Sequence, residues 1–321
     1  MSPKTILSSI AEDTVKGLYS DPKYLMSKYF YDDEGSAIFR DIMKMPEYYL
    51  TDCEMEIFEK QKEHITGAFM QGGRSFDLIE LGSGDGLKTR VLLRSLLDSK
   101  ASLRYIPVDI SGEANDMLVK SLARELPSLE VKALTGDFFR LSSQISGSSE
   151  RPKVILFLGS NIGNFTDSEI RDFLDMLATA LNRGDRVMIG YDLKKSPRII
   201  MDAYNDSQGH TRRFNLNHLL RLNRELDADF NTGNFEHHST YNPVSGEVKS
   251  YLVSLSEQRV KFGSTGDIFR FRKWESIFME RSRKFGIDDI ESLAADHGFR
   301  VLKHFTDSRD WFADSLWEKT G

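Results

Sequence analysis

The segment Glu80-Leu81-Gly82-Ser83-Gly84-Asp85-Gly86 sets three closely spaced glycines between acidic residues. Glycine lets a turn tighten and lets a ligand approach bare backbone. A dinucleotide fingerprint needs its third glycine one position later, with helix amides facing a pyrophosphate. Carboxylates at Glu80 and Asp85 repel such an anion and attract a sulfonium or an amino group. The loop therefore favours S-adenosylmethionine over a nicotinamide dinucleotide. A tight strand-to-helix turn with no ligand is the plainer alternative.

Two further acids fit that choice. Asp109 ends the run Tyr105-Ile106-Pro107-Val108-Asp109, where a carboxylate can accept from both ribose hydroxyls; nicotinamide sites use the same device. Asp137, in Thr135-Gly136-Asp137-Phe138, can accept from the adenine amino group with Phe138 against the ring, or simply cap the next helix. A later apolar run leads into Gly159-Ser160-Asn161-Ile162-Gly163-Asn164, where glycines open space and Asn164 offers a donor and an acceptor. The Asn/Asp-Pro-Pro-Tyr/Phe segment associated with methylation of exocyclic base or glutamine nitrogens does not occur.

These residues need strand ends to hold them. Short apolar runs fall at 76–81, 103–108, 131–134, 154–158 and 187–191, several apolar almost throughout, as parallel strands covered on both faces require. Helical stretches alternate with them. One stripe is Ile170, Phe173, Leu174, Leu177 and Leu181, opened by a capping box of Thr166 and Glu169. Strand alternating with helix predicts an α/β fold with a doubly wound, mostly parallel sheet. Helices are expected over Ala37–Met43 and Cys53–Ile65, and a surface loop over Leu141–Lys153. A helical section follows to about Asp229, then strand-like stretches with Tyr251, Val253 and Leu255 on one face. Ile287 to Phe305 supplies one more helix and strand. The expected division is a nucleotide-binding domain of 70–195 plus 286–321, and a second lobe of 1–69 plus 196–285 over the sheet's carboxyl edge.

The chain of 321 residues carries 43 basic and 49 acidic side chains, a net charge of -6, which argues for a small substrate rather than nucleic acid. Its one cysteine, Cys53, rules out an internal disulfide and a cysteine-based zinc site. The seven histidines form no HExxH motif, so no metal is expected. There is neither a signal-peptide core nor a run of about 18 apolar residues, which predicts a cytoplasmic protein with no membrane partner. It is expected to act as a monomer.

The residues resemble a known family over nearly the whole chain: the histidine-specific Nα-methyltransferases of ergothioneine biosynthesis. The marks are Lys28-Tyr29-Phe30-Tyr31-Asp32 with Gly35-Ser36, Pro46-Glu47-Tyr48-Tyr49, Glu80 to Lys88 and the Gly159-to-Asn164 segment. Asp202-Ala203-Tyr204, Phe214-Asn215, Asn223-Arg224-Glu225-Leu226 and Glu280-Arg281-Ser282 complete the ordered set. The resemblance implies a class I, Rossmann-like S-adenosylmethionine methyltransferase with a second, substrate-binding lobe. It also implies roles. Tyr48, Asn164 and Tyr204 would hold the α-amino and α-carboxylate groups of L-histidine beside Gly159, with Tyr31 close to the amine. Glu280 and Ser282 would hold the imidazole, whose neutral ring has one donor and one acceptor nitrogen. Tyr48, Glu80, Gly82, Gly84 and Lys88 would join Asp109, Asp137 and Phe138 around S-adenosylmethionine. The chain departs from the pattern at Ser250, where actinobacterial members carry a methionine near the imidazole; a smaller polar side chain loosens that wall. Fungal relatives act on a prenylated tryptophan, and the retained Glu280/Ser282 pair argues against that substrate.

Methyl transfer is an in-line displacement, so the main task is alignment of a lone pair with the methyl–sulfur axis. Tyr31 and Asn164 are the catalytic candidates, Tyr31 as a route for the amine's proton. Other readings are methylation of another amino acid or amine, a nicotinamide-dependent oxidoreductase, and a noncatalytic ligand-binding protein on the same fold.

Overall fold

The computed structural model describes residues 3–137, 139 and 151–321; Phe138 and residues 140–150, which include most of the expected surface loop, lie outside them. In chain order the first strands are β1 (Lys23–Tyr24), β2 (Ser75–Leu81), β3 (Ser102–Asp109), β4 (Glu130–Val131) and β5 (Leu134–Thr135). Next come β6 (Lys153–Phe157), β7 (Arg186–Asp192), β8 (Phe235–Asn242), β9 (Glu247–Ser254) and β10 (Gln258–Lys261). The last are β11 (Ile268–Phe271), β12 (Ser276–Arg283), β13 (Phe299–Thr306) and β14 (Phe312–Lys319). Two compact units result: Leu50–Lys194 with Arg283–Gly321, and Met1–Tyr49 with Lys195–Ser282.

The larger unit is built on an eight-stranded sheet in the order β13-β14-β7-β6-β2-β3-β4, with β5 also on β3. From β7 to β4 every pairing is parallel, with Ile79 opposite both Ile106 and Ile155, and Ile155 opposite Val187. These largely apolar strands are buried on both faces, and the two acids of β2 are buried with partners, Asp77 accepting from Arg104 and Glu80 from Thr89. The order runs outward from β2 through β3 and β4, then restarts on β2's other side with β6. That reversal places the loop after β2 and the turn after β6 together at one carboxyl edge, where open sheets bind ligands.

The expected strand over 131–134 is broken into β4 and β5, bridged by Lys132 N–H donating to the Tyr105 carbonyl at 2.9 Å. The helix Asp167–Ala180 starts at the anticipated capping box: Thr166 Oγ1 accepts from Glu169 N at 3.2 Å, and Glu169 accepts from Thr166 N at 2.7 Å. Its stripe of Ile170, Phe173, Leu174 and Leu177 joins Ile79, Ile106, Ile155, Phe157 and Trp317 in one core. β14, absent from the sequence expectation, runs antiparallel to both neighbours: Ser315 faces Ile189 of β7 and His304 of β13. The helix Tyr49–Phe69 buries Cys53, Ile57, Phe58 and Ile65, and residues 50–69 lie in this unit, whereas the expected division put them in the other.

The smaller unit holds the sheet β1-β12-β9-β8 and the hairpin β10-β11. The helix Asp33–Ile42 is capped by Asp32, whose Oδ1 accepts from Gly35 N at 2.7 Å. Helices Pro197–Tyr204 and His210–Leu226 follow the crossover from β7. Phe30, Phe214, Leu219, Leu222, Leu252, Ile277 and Met279 form its core. On β9 the fully buried side is Val248, Ser250, Leu252 and Ser254, the face opposite Tyr251 and Val253. Serines are tolerated there because they find partners: Ser250 Oγ lies 3.3 Å from Ser239 Oγ on β8, and Ser254 Oγ donates to the Ser256 carbonyl at 2.8 Å.

Candidate active site

In the larger unit, the glycine loop is fixed from beneath by β3. Gly82 N–H donates to the Val108 carbonyl at 2.8 Å, and Gly86 N–H to the Ser83 carbonyl at 2.9 Å. Gly82, Gly84 and Gly86 have φ of +74°, +52° and +62°, a region that side chains disfavour. A β-carbon at Gly82 or Gly84 would meet nothing within 4 Å, whereas one at Gly86 would come within 2.7 Å of Leu118 Cδ1. The first two glycines thus present open backbone, and the third serves packing.

Asp109 accepts the Gly84 amide on Oδ2 at 3.1 Å and the Ser111 amide on Oδ1 at 2.9 Å, so it holds the loop while standing half-buried at the strand end. Asp137 accepts the Phe139 amide on Oδ1 at 2.9 Å, a local bond two residues along the chain. Ser83 Oγ is buried with no hydrogen-bond partner among the described residues. Open glycine backbone, a strand-end acid and an unpartnered buried hydroxyl fit the ribose and methionyl parts of S-adenosylmethionine.

Glu80 differs from the picture of an acid open beside the loop. It is buried, accepting Thr89 Oγ1 at 2.6 Å on Oε1 and the Tyr105 hydroxyl on Oε2. Burial drives its pKa up to about 7, against the lowering effect of these hydrogen bonds and of Lys88. Its charge at neutral pH is therefore partial, and its hydrogen bonds brace the loop to β3 and the helix Thr89–Asp98. Asp85 Oδ1 accepts the Leu87 amide at 3.0 Å.

Beside β6 lies a group that the sequence reading missed except for Lys88 and Gly159. Glu54, wholly buried on the helix Tyr49–Phe69, pairs with the Lys88 ammonium through Oε2 and accepts the Gly159 amide on Oε1 at 2.7 Å. Burial, the largest single influence, opposes the ammonium, but the surrounding carboxyl groups, Glu54 foremost and then Asp314 and Glu80, together raise the Lys88 pKa. Asp314 on β14 is also wholly buried; no N–H or O–H donor among the described residues reaches either of its oxygens, and the carboxyl group beside it is that of Glu54. Burial first, and the Glu54 carboxylate next, push its pKa well above the ordinary carboxylate range. A signal for Glu54 was present: it interrupts the apolar face of Cys53, Ile57 and Phe58 with a charge. After Gly159 the chain turns through Ser160, at φ +56°, whose Oγ accepts the Asp192 amide at 2.9 Å. Gly163 packs on the backbone of Arg283, where a β-carbon would lie 2.7 Å from the carbonyl oxygen. The turn leaves Asn164 exposed.

In the smaller unit, Tyr31, Phe39, Tyr48 and Phe214 form an aromatic group. Ring centroids are 5.4 Å apart for Tyr31–Phe39, 6.1 Å for Phe39–Tyr48 and 5.5 Å for Tyr31–Phe214. Burial, the Glu280 carboxylate and the Tyr204 hydroxyl each raise the pKa of Tyr31. Tyr31 keeps 53% of its surface accessible, so the burial part is weaker than in a closed core, yet both electrostatic causes act in the same direction. Tyr204 ends the helix Pro197–Tyr204, its carbonyl accepting Ser239 Oγ at 3.1 Å. Ser239 also lies 3.2 Å from His237 Nε2, so Ser250 belongs to a small buried polar cluster. Glu280 and Ser282 stand two apart on β12, with Ser282 buried and Glu280 Oε1 accepting the Asn215 amide at 3.4 Å. The structure thus gathers Tyr31, Tyr204 and Glu280 in this unit, and Gly82, Gly84, Asp109, Lys88 and Gly159 at one edge of the other. Phe138 lies outside the described residues.

Among the described residues, no group of three or more His, Cys, Asp or Glu is placed to hold a metal ion, and no helix is long and apolar enough to cross a membrane.

A mostly parallel sheet with an antiparallel β14 next to its last strand, and an open glycine loop after β2, defines a class I methyltransferase dependent on S-adenosylmethionine. The chain belongs to the family of S-adenosylmethionine-dependent, histidine-specific methyltransferases, whose model matches residues 10–319. It is 33% identical over 308 residues to the histidine N-alpha-methyltransferase of Mycobacterium tuberculosis, covering 96% of this chain and 94% of that one. Against the histidine N-alpha-methyltransferase of Mycolicibacterium smegmatis the identity is 34% with the same coverage. Ergothioneine biosynthesis protein 1 of Schizosaccharomyces pombe is 25% identical over 287 residues, spanning 88% of this chain and 37% of that protein.

Proposed function

We propose that this protein methylates the α-amino nitrogen of L-histidine with S-adenosylmethionine as donor. Three successive transfers give Nα,Nα,Nα-trimethylhistidine (hercynine), as a step in ergothioneine biosynthesis. The observation that carries this is the match of residues 10–319 to a histidine-specific family, in a chain whose smaller unit keeps Tyr31, Tyr204 and Glu280 together.

S-adenosylmethionine supplies a methyl group on a sulfonium, a good leaving group. Gly82 and Gly84 would offer backbone to it, Asp109 would accept from its ribose, Asp137 from its adenine, and Lys88 would answer its carboxylate. Tyr48, Asn164 and Tyr204 would fix the amino acid's backbone groups. Glu280 would accept from the imidazole N–H, and Ser282, with a hydroxyl able to donate, would meet the other nitrogen. Ser250, with Ser239 and His237, would set a small buried polar cluster where the family resemblance implies a methionine beside the imidazole.

The amine reacts only through its lone pair, so a proton must leave before each transfer. The raised pKa of Tyr31 keeps its hydroxyl protonated at neutral pH, so it serves as a neutral hydrogen-bond partner that can pass a proton on, and not as a standing tyrosinate base. Holding the carboxylate and the ring, rather than the amine, leaves room for methyl groups to accumulate.

The test is incubation with S-adenosylmethionine and a mixture of free amino acids, followed by mass spectrometry. Histidine alone should gain one to three methyl groups. Methylation of a different amine with histidine untouched would overturn the substrate assignment, and NAD-dependent turnover would overturn the chemistry.

A further inference from the structure

Glu54 occupies a position that is hard to explain as fold stabilisation alone. It is wholly buried, and taking a carboxylate and an ammonium out of water loses solvation that a hydrophobic pair would not lose. The surroundings are shaped for it. Gly190 of β7 has ordinary backbone torsion, so conformational freedom does not call for glycine there. A β-carbon at Gly190 would lie 2.8 Å from Glu54 Oε1 and 3.2 Å from the Gly159 nitrogen. The missing side chain is what lets the carboxylate reach the end of β6. Directly across the sheet from Gly190 stands Asp314, the buried acid without a donor on either oxygen.

We propose that Glu54 is a positioning residue of the methyl-transfer site, one carboxylate fixing both the Lys88 ammonium beside the glycine loop and the Gly159 turn that leads to Asn164. Lys88 Nζ has three donors, and its pairing with Glu54 leaves others for a bound anion. The second oxygen of Glu54 pins the Gly159 amide, at the strand-to-turn transition where φ is +75°. The two elements that meet the ligands therefore share one anchor. Asp314 completes the group from below. With no donor to its oxygens and an anion beside it, it retains its proton, which leaves Lys88 and Glu54 as a neutral pair and makes the Asp314 hydroxyl available to Glu54. This inference rests on the proposed S-adenosylmethionine site, since it assigns Lys88 to that ligand.

The test compares wild type with Glu54→Gln, Lys88→Met and the double variant. S-adenosylhomocysteine affinity is measured by calorimetry, histidine turnover by steady-state kinetics, and folding by thermal melting. The glutamine keeps an oxygen for the Gly159 amide and loses the charge that orients Lys88. Glu54→Gln should weaken S-adenosylhomocysteine binding by at least about tenfold, the scale of one charge-assisted contact, while histidine KM changes less. In the Lys88→Met background the same change should add little, because the two residues act as one. Unaltered S-adenosylhomocysteine affinity in a folded Glu54→Gln protein, or full additivity in the double variant, overturns the proposal. Should Glu54→Gln fail to fold, the wild-type enzyme still decides. The Lys88 side-chain ammonium, followed by 15N NMR, must shift on adding S-adenosylhomocysteine, and an unmoved resonance overturns the assignment. Wild type that binds no S-adenosylhomocysteine at all instead defeats the functional reading on which this rests.

Discussion

Asn215 donates from Nδ2 to Oε1 of Glu280 at 3.4 Å, tying the helix His210–Leu226 to β12 within the smaller unit. A carboxylate steadied in this way meets a flat ring in one orientation. Glu280→Ala should therefore weaken histidine binding about ten- to a hundredfold, the range for a hydrogen bond to a charged group, with S-adenosylhomocysteine affinity nearly unaffected. Calorimetric titration of each ligand checks this. Unchanged histidine affinity would defeat the imidazole assignment.

Asp109 should behave in the opposite way. It anchors the Gly84 and Ser111 amides as well as being the proposed ribose acceptor. Asp109→Ala is expected to reduce S-adenosylhomocysteine affinity at least about tenfold and to affect histidine binding little, again by calorimetry. A loss confined to histidine would contradict the placement of the nucleotide.

Tyr31 carries a hydroxyl whose pKa is raised, so it contributes no base at neutral pH. Tyr31→Phe should lower kcat while leaving the acid limb of the pH–rate profile in place, since that limb belongs to the substrate amine. A limb that disappears in the variant would make Tyr31 the base after all.

His218 packs edge-on to Phe30 with centroids 5.3 Å apart, and neither ring nitrogen has a hydrogen-bond partner among the described residues. Burial first, then the Arg221 charge, lowers its pKa from 6.5 to about 3. The unfolded chain binds a proton below about pH 6.5 that the folded chain refuses until about pH 3. The stabilising contribution is thus complete above 6.5 and declines as pH falls through that window, by about 1.4 kcal/mol per pH unit. His218→Phe should flatten this acid limb in denaturant titrations between pH 7 and 4. An unchanged limb would show that other groups set it.

Glu80 produces the reverse slope. Its folded pKa of about 7 lies above the usual 4.5 because the carboxyl is buried, so the folded state holds a proton that the unfolded state has released. That contribution is complete below about pH 4.5 and is lost as pH rises through 7. Glu80→Gln, neutral at every pH, should therefore remove a decline in stability between about pH 4.5 and 7. A variant with the same decline as wild type would place the slope elsewhere.

The sheet was legible because its strands are largely apolar on both faces, and the glycine loop because its spacing and flanking acids are local. The Thr166/Glu169 capping box was legible for the same reason. β14 was not. Its Asp314 and Ser315 interrupt the apolar run, and only the antiparallel pairing with β7 and β13 explains how they are buried. Glu54 was not legible as a site residue because its partners, Lys88 and Gly159, are far away in sequence, and Asp314 was not, because Glu54, the carboxyl beside it, is equally remote. Glu80 was recognised as part of the loop, but its orientation depends on Tyr105 of the neighbouring strand, which periodicity does not report. On β9, alternation marked a strand, but which face is buried depended on the serine partners across the sheet.

The place of β14 also bears on how the chain comes to be folded. It is the last strand in sequence, yet it lies between β7 and β13 rather than at the rim. Until it docks, β7 presents an unpaired, largely apolar edge and β13 has no neighbour in the sheet. A ribosome-bound chain therefore carries an adhesive margin from the completion of β7 until Phe312–Lys319 has emerged, and a product cut short before Phe312 would keep one permanently. Nascent and clipped forms should be the species that chaperones bind and that aggregate first.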